Sequence, residues 1–517
     1  MLQFTRKQST MSRLDAMQQS RLQNLEALRA AGLDPYPSTV HRTHTLKQAR
    51  VKVGQKVTVV GRLLSWRGHG KLQFADLVDE TGKIQLAFRF DKLDETKFTH
   101  LKYLDTADFL EVTGTTFDTK SGERTIEVTD YIVLSKTLKP LPNRWYGLKD
   151  VEDRYRKRYL DLLLNPEVKK RLAVRSDIIQ AIRDFLNLLG FKEVETPTLQ
   201  PIYGGGFARP FVTHHHVLDA DFYLRISDEM YLKRLIVGGF EKVYEITKVF
   251  RNEGIDFDHN PEFTMFEAQI AYQDYHYGMD LIEEIIAHAA QKVLGKTTFT
   301  YQGQEISVQR PWKRQRLVEV IKEHCGVDPL GWQTVDEAVI QAHRLDGIDP
   351  AKLKELSRVK TIGSVMAFIF EEAVEPKLIA PTIIYDYPVE TSPLAKKCPD
   401  PRFTQRFEMF AFGSELGNNY TELNDPLDLK QRFIEEKKRA EAGFAEAHQT
   451  DTDYLEAIEY GFPPTCGIAI GIDRLVMLFT DAASIKEVIA FPTLRPVLKI
   501  STIDTRKTVD KVQATKK

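Results

Sequence analysis

An α+β fold, a small β-barrel followed by a larger domain of helices around an antiparallel sheet, is predicted by three observations. Residues 56 to about 138 are short alternating segments broken by turn signals, and residues 166 to about 500 mix helical patterns with long alternating strands. Neither part shows the regular strand–helix–strand alternation of a parallel sheet. At 517 residues, 42% hydrophobic, the chain is long enough to build a separate core for each part.

Each element follows in order. RLDAMQQSRLQNLEALRAA at 13–31 sets Leu14, Met17, Leu22, Leu25 and Leu28 at near-helical spacing, and Gly32 followed by DPYP stops the helix. Residues 1–50 are therefore expected as an N-terminal helical segment. KVTVVGRLLSW, KLQFADLVD, GKIQLAFRF, DFLEVTGTTFD and RTIEVTDYIVL, separated by GHG, DETG and TKSG turns and by a helix at 94–104, make residues 51–140 a five-stranded Greek-key barrel. KPLPNRWYGLKDVEDRYRKRYLDLL then shifts to Pro, Arg, Lys and aromatics, which reads as a linker over 141–165. The second domain spans 166–500, and the polar, basic residues 501–517 are expected to be a disordered tail.

Composition excludes several classes of function. Apolar runs such as Leu475–Phe479 are too short to cross a bilayer and the first residues lack a signal peptide's apolar stretch, so a cytoplasmic protein without a membrane partner is expected. Cys325, Cys398 and Cys466 stand far apart, which suggests neither disulfides nor a thiolate zinc site. A net charge of -1 argues against a generally basic nucleic-acid binder and leaves local basic patches open. GKT at 295–297 has Ala290 where a phosphate-binding loop needs glycine, so any nucleotide binds elsewhere.

Three stretches carry chemistry. VYEITKVFRNE alternates so that Val243, Glu245, Thr247, Val249, Arg251 and Glu253 share one strand face. GIDFDHNPE is the turn, and FTMFEAQIAY returns with Phe263, Met265, Glu267, Gln269 and Ala271 on one face. The pattern alone leaves open a solvated hairpin with surface ion pairs. In FEMFAFGSELGNNYTELND, Asn418, Tyr420 and Glu422 share a face, while Glu408 and Glu415 flank a turn at Gly413, a pair that could hold Mg²⁺. In CGIAIGIDRLVMLF a strand breaks at Gly471 and a helix opens near Asp473 with Arg474 in its first turn, where an arginine is favourable only beside an anion.

GFKEVETPTL (190–199), FRNEG…HNPEFT…FE (250–267) and GIAIGIDRLVML (467–478) resemble, in order, motifs 1, 2 and 3 of class II aminoacyl-tRNA synthetases. With YLKRLIVGGFEKVYEI and LGNNYTELND, the pattern from about residue 21 to residue 497 resembles the lysyl-tRNA synthetase family. The resemblance implies an antiparallel class II catalytic sheet flanked by helices, an OB-fold anticodon-binding barrel, and a homodimer whose interface includes motif 1. It implies ATP, L-lysine and tRNA(Lys) as partners and Mg²⁺ as cofactor.

Roles follow residue by residue from the same resemblance. Arg251 and Arg474 are the catalytic arginines, at the α-phosphate with the lysine carboxylate and at the γ-phosphate. Asn252, Glu253, His259, Asn260, Glu415, Leu416 and Gly471 complete ATP binding, and Glu408 and Glu415 are the Mg²⁺ ligands. Gly205, Glu229, Arg251, Glu267, Gln269, Asn418, Tyr420 and Glu422 form the lysine site, with Glu229 at the α-ammonium and Glu422 at the ε-ammonium. From pattern alone Glu229, in DEMYLKRL, could equally be a helix-surface acid. Phe74, Gln85 and Asp130 are the anticodon readers; without the resemblance Phe74 would read as a barrel-core residue and Gln85 as an exposed strand residue. THHH at 213–216 is not expected to bind zinc, because neighbouring strand residues point to opposite faces.

The sequence departs from the family where Gln269 replaces a usual tyrosine and Asp130 a usual glutamate; Asp228 and His216 are also unusual. Two other functions stand beside a lysine–tRNA ligase: a paralogue that lysylates a protein, which would lack the barrel, and a catalytically silent RNA-binding protein, which would not need Arg251, Glu408, Glu415 and Arg474.

Overall fold

The computed structural model describes residues 13–142, 148, 150–441 and 449–496, so the expected tail at 501–517 lies outside the described residues, as does part of the linker stretch. The chain divides into two compact units, Met1–Lys149 and Asp150–Lys517.

In the first unit, β1 (Lys56–His69), β2 (Leu72–Asp79), β3 (Gly82–Arg89), β4 (Phe109–Asp118) and β5 (Arg124–Ser135) close a barrel in the order β1-β2-β3-β5-β4. β3 and β5 run parallel, and the other pairs are antiparallel. Strand alternation fills the interior: Ala75 and Leu77 of β2, Ile84 and Leu86 of β3, and Ile126 and Val128 of β5 are fully buried together. The helix Arg13–Ala30 adds Leu28 to this core. The helix Glu95–His100 starts where Asp94 accepts the Lys97 amide and runs on as a 3₁₀ turn to Tyr103.

The second unit contains β6 (Lys192–Glu193), β7 (Leu199–Gln200), β8 (Val212–His215), β9 (Ala220–Leu224), β10 (Lys242–Phe250), β11 (Glu262–Ala271), β12 (Thr298–Tyr301), β13 (Gln304–Ser307), β14 (Lys313–Arg316), β15 (Thr382–Pro388), β16 (Phe403–Ala411), β17 (Ser414–Thr421) and β18 (Thr465–Gly471). Eight form one sheet in the order β14-β15-β16-β17-β18-β11-β10-β6, antiparallel through its centre with a parallel pair at each edge. One face packs on the helices Pro166–Leu188, Tyr275–Leu294 and Ile472–Thr480, whose Ile178, Ile282, Ile285 and Val476 are fully buried with Phe266, Ala268 and Ile270 of β11. Each of the larger side chains contributes roughly 1.5–3 kcal/mol by leaving water. Arg175 on the long helix bonds Asp473 Oδ1 (2.6 Å) and Thr264 Oγ1 (2.7 Å), and Asp473 Oδ2 accepts the Thr264 amide (2.6 Å), so helix, strand and the helix after β18 are pinned at one point.

Two expectations change. Within the 141–165 stretch, Val151–Arg156 and Arg158–Leu164 are helical and belong to the second unit. Arg158 is buried there, bonding Asp161 (2.7 Å) and the carbonyls of Ala490 (3.0 Å) and Lys486 (2.6 Å), partners more than 300 positions away that composition does not reveal. The strand read through Glu253 ends at Phe250, because the Arg251 amide donates to Pro261 (2.9 Å) and the Asn252 amide to Arg209 (2.7 Å), turning the chain out of the ladder.

Candidate active site

The sheet face opposite the helical core is polar. On β11, Phe266, Ala268 and Ile270 point into the core, while Met265, Glu267 and Gln269 line a cavity of about 700 Å³. β17 adds Asn418 and Tyr420, followed by Glu422; β16 adds Glu408; the helix after β18 adds Arg474. In the β10–β11 ladder Glu245 stands directly opposite Glu267, a like-charge pair that is unfavourable unless each finds donors. Glu245 takes the Arg225 guanidinium (2.7 Å) and the Thr196 hydroxyl (2.7 Å), and Glu267 takes the Ser227 hydroxyl (2.8 Å).

Arg251 leaves the end of β10 with its guanidinium 5.2 Å from the Phe263 ring centroid and its Nε buried without an acceptor. A buried cationic donor with an open valence in a cavity is a receptor for an anion.

The carboxylate end of the cavity lies beyond it. Glu229 opens the helix Glu229–Val237, and Lys233, one turn on, pairs with it and with Glu422 Oε2 at 2.5 Å. Gln269 Nε2 donates to Glu422 Oε1 (2.8 Å), while Gln269 Oε1 is buried with no donor. Burial pushes the Glu422 carboxyl up to about 8 against the pull of Lys233. Burial, then the Glu229 charge, pushes Glu267 up to about 7. Asp228 is fully buried beside Glu267, and burial with the Glu267 and Glu245 charges raises its carboxyl well above the usual range. Two glycines make room. A Cβ on Gly467 would meet Glu422 Oε1 at 2.1 Å, and Gly205, at φ +86°, would meet Ser227 Oγ at 2.7 Å.

At the other end, Glu408 bonds the Arg406 guanidinium and accepts the Tyr387 hydroxyl (2.8 Å), and Arg406 Nε donates to Asn418 Oδ1 (2.9 Å). Glu415 lies across the turn, its carbonyl accepting Arg474 Nη1 (2.6 Å), and Arg474 Nη2 is 3.2 Å from His259 Nε2. Among the described residues no three His, Cys, Asp or Glu side chains are grouped as metal ligands. The acids are nonetheless crowded: burial and the charges of Glu415 and Glu408 push Glu375 up to about 8. Carboxylates crowded on the wall of one cavity suit a hard divalent cation, which takes oxygen ligands and can share its shell with substrate oxygens.

Most sequence-selected residues thus converge, including Glu253 and Gly471 at the cavity wall. Asn252 does not line it; its side chain is exposed and its amide holds the loop. Asn260 reaches the cavity, but Nδ2 donates to Glu262 (2.6 Å) and Oδ1 accepts Thr493 (3.1 Å), so it anchors the motif loop. Leu416 is a core residue that borders the cavity. Lys233, Arg406 and Tyr387 were not selected from sequence. The i, i+4 spacing of Glu229 and Lys233, and the alternation of Arg406 with Glu408, are the signals that could have found the first two.

On the barrel, Phe74 is half-buried and outside the core cluster, and the register puts it on the same side of the wall as Gln85, which is buried opposite Asp76. Asp130 lies farther along β5, ion-paired with Lys97 and accepting the Tyr131 amide (2.8 Å). Glu127 is nearer their row, opposite Ala87, which itself faces Phe74.

Residues 150–495 match the family of class II tRNA synthetases (D, K and N), and residues 57–134 match the OB-fold nucleic acid binding domain. A lysine–tRNA ligase of Carboxydothermus hydrogenoformans is 48% identical over 488 residues, covering 93% of this chain and 99% of the relative. One of Thermoanaerobacter sp. (strain X514) is 50% identical over 489 residues (93% and 97%), and one of Moorella thermoacetica 49% over 482 residues (92% and 97%). The family match spans residues 150–495, relatives named lysine–tRNA ligase are 48–50% identical over more than nine-tenths of the chain, and residues of the second and third motifs share one cavity, so this chain belongs to the class II aminoacyl-tRNA synthetases and, among them, to the lysine–tRNA ligase family.

Proposed function

We propose that the chain activates L-lysine with ATP, releasing pyrophosphate, and transfers the lysyl group from the adenylate to the 3′ end of tRNA(Lys). The observation that carries this reading is the placing of Arg251, with its unpartnered Nε, in one cavity with Glu229 and Glu422. An amino acid with one carboxylate and two ammonium groups matches that set.

In the first step a lysine carboxylate oxygen forms a bond to the α-phosphorus while the bond to the pyrophosphate oxygen breaks. Arg251 holds the two anions together and offsets the charge that builds between them; its donors are preorganised and cost no rearrangement. Arg474, in a helix's first turn and steadied by the Glu415 carbonyl, receives the distal phosphate, with His259 beside it. Glu229 receives the α-ammonium, and Glu422 with Gln269 Oε1 the ε-ammonium. Glu408 and Glu415 would hold Mg²⁺, which when bound neutralises phosphate charge and orients the leaving group. In the second step a terminal ribose hydroxyl of tRNA attacks the lysyl carbonyl and AMP leaves. Phe74, Gln85 and Asp130 read the anticodon loop, Phe74 by stacking. Class II architecture favours a homodimer that includes residues 190–199. Among the described residues no helix is long and apolar enough to cross a membrane, which accords with a cytoplasmic enzyme.

Amino-acid-dependent ATP–pyrophosphate exchange, followed by charging of tRNA(Lys), tests the reading. Lysine should support both. Preferential exchange with another amino acid would overturn the substrate, and exchange with none would overturn the ligase.

A further inference from the structure

Glu229 and Glu422 are the carboxylates offered to the substrate's two ammonium groups, yet both already touch an ammonium that belongs to the chain. Lys233 Nζ is ion-paired with Glu229, lies 2.5 Å from Glu422 Oε2, and sits 5.2 Å and 5.9 Å from the ring centroids of Tyr420 and Tyr454. Its side chain is 1% exposed, and it does not line the cavity, whereas both of its partners do. We infer that Lys233 is a positioning residue that sets amino-acid selectivity, by bridging Glu229 and Glu422 from behind and fixing both their spacing and their net charge. This rests on the lysine-activating function proposed above.

Two physical arguments support it. Glu229 stands in the first turn of a helix and Glu422 just past the end of β17, so neither backbone alone fixes the distance between the carboxylates. A cation bonded to both does, and their remaining lone pairs are left for the cavity. Charge makes the second argument. In the ionised form that meets the substrate, two carboxylates and one ammonium sum to one negative charge, and lysine, with two ammonium groups and a carboxylate, brings one positive charge. Without Lys233 that form would carry two negative charges against the same substrate, and buried carboxylates in that position hold their protons to higher pH. A protonated Glu422 donates where it must accept.

Among the described residues, the groups shown to act on Glu422 include no cation other than Lys233, and Arg234, 5.8 Å from the Tyr454 ring centroid, is paired with Asp451 and Asp453. Glu229 and Lys233 face it from the helix, Tyr420 and Tyr454 flank the ammonium, Cys466 lies on β18, and Gln269 on β11 is neutral. Glu267 and Asp228 nearby are acids, and Arg251 is directed to the anion end. Both carboxylates that satisfy this buried ammonium also face the cavity, so its contacts reach the substrate site as well as the core.

Lys233→Met keeps the length of the side chain and removes its charge. In ATP–pyrophosphate exchange its KM for lysine should rise at least about tenfold, and its KM for ATP should stay within about twofold. The lysine kcat/KM profile should shift upward by about one pH unit, because Glu422 loses its nearest cation. Discrimination against norleucine, which lacks the ε-ammonium, should fall with it. Lys233→Arg keeps the charge with a broader head, so it should retain the wild-type pH profile while lysine KM rises about threefold. Thermal unfolding is followed in parallel. An unchanged lysine KM in folded Lys233→Met would overturn the inference, as would parallel losses toward lysine and ATP accompanied by a lowered Tm. Should Lys233→Met not fold, Lys233→Arg decides: raised lysine KM with unchanged ATP KM supports the bridge, and wild-type lysine KM removes it. Failure of the functional reading is visible separately, as wild-type protein that shows no lysine-dependent exchange, and it removes this inference too.

Discussion

Charge placement at single residues decides what this site can hold. Arg251→Ala and Arg474→Ala should each lower adenylate formation by at least about 100-fold while leaving circular dichroism and Tm near wild type, because each removes a preorganised donor from a transition state. Gln269→Leu tests the open amide oxygen: losing a hydrogen bond to an ammonium costs about 1.5–3 kcal/mol, so lysine KM should rise about tenfold or more with ATP KM unchanged. The Glu422 carboxyl, held up to about 8, supplies a pH prediction. It is protonated in the free protein below that pH and must ionise to meet an ammonium, so lysine binding should release protons at about pH 7 and tighten as the pH rises toward 8. Calorimetry in buffers of different ionisation heat reads that release directly; proton uptake, or none, would count against it. Glu267 and Gln269 were visible in the sequence because strand alternation puts them on one face. Lys233 was not, since its second partner is almost 200 residues away and only folding joins them.

Elements carry the next level of specificity. Helix, strand and motif helix meet at Arg175, Thr264 and Asp473, and Asp473 is almost fully buried with both oxygens bonded. Asp473→Ala should therefore destabilise the second unit by about 3–5 kcal/mol, leaving Arg175 uncompensated, and should do so far more than Glu253→Ala at the exposed cavity wall. Chemical denaturation of the two variants compares them. On the barrel, Phe74→Ala should weaken tRNA charging by roughly 1–3 kcal/mol, the value of one base–aromatic stack, with lysine-dependent exchange unchanged. A fall in both reactions would return Phe74 to a structural role. The barrel strands were legible because their turns are marked by glycine, and the helix 13–30 because its leucines recur at the right spacing. The helices at 151–164 were hidden behind a composition rich in arginine and aromatics. Arg158 shows why: beside the local Asp161, its partners are carbonyls from residues 486–490.

At the scale of the whole molecule, the two units have separate interiors. The barrel cluster draws on residues up to Val133, and the three clusters of the second unit begin at Ile178 or later. Eight strands in one sheet still leave two borders. One is β14, Lys-Arg-Gln-Arg, and the other is β6, a Lys-Glu pair. An open border is a template on which a second polypeptide can extend the ladder, and short, charged strands make poor templates. Self-association through sheet growth is thereby discouraged, even when the protein is concentrated or recovering from denaturant. The two borders at which this sheet could recruit further strands without limit are thus the ones with least to offer them.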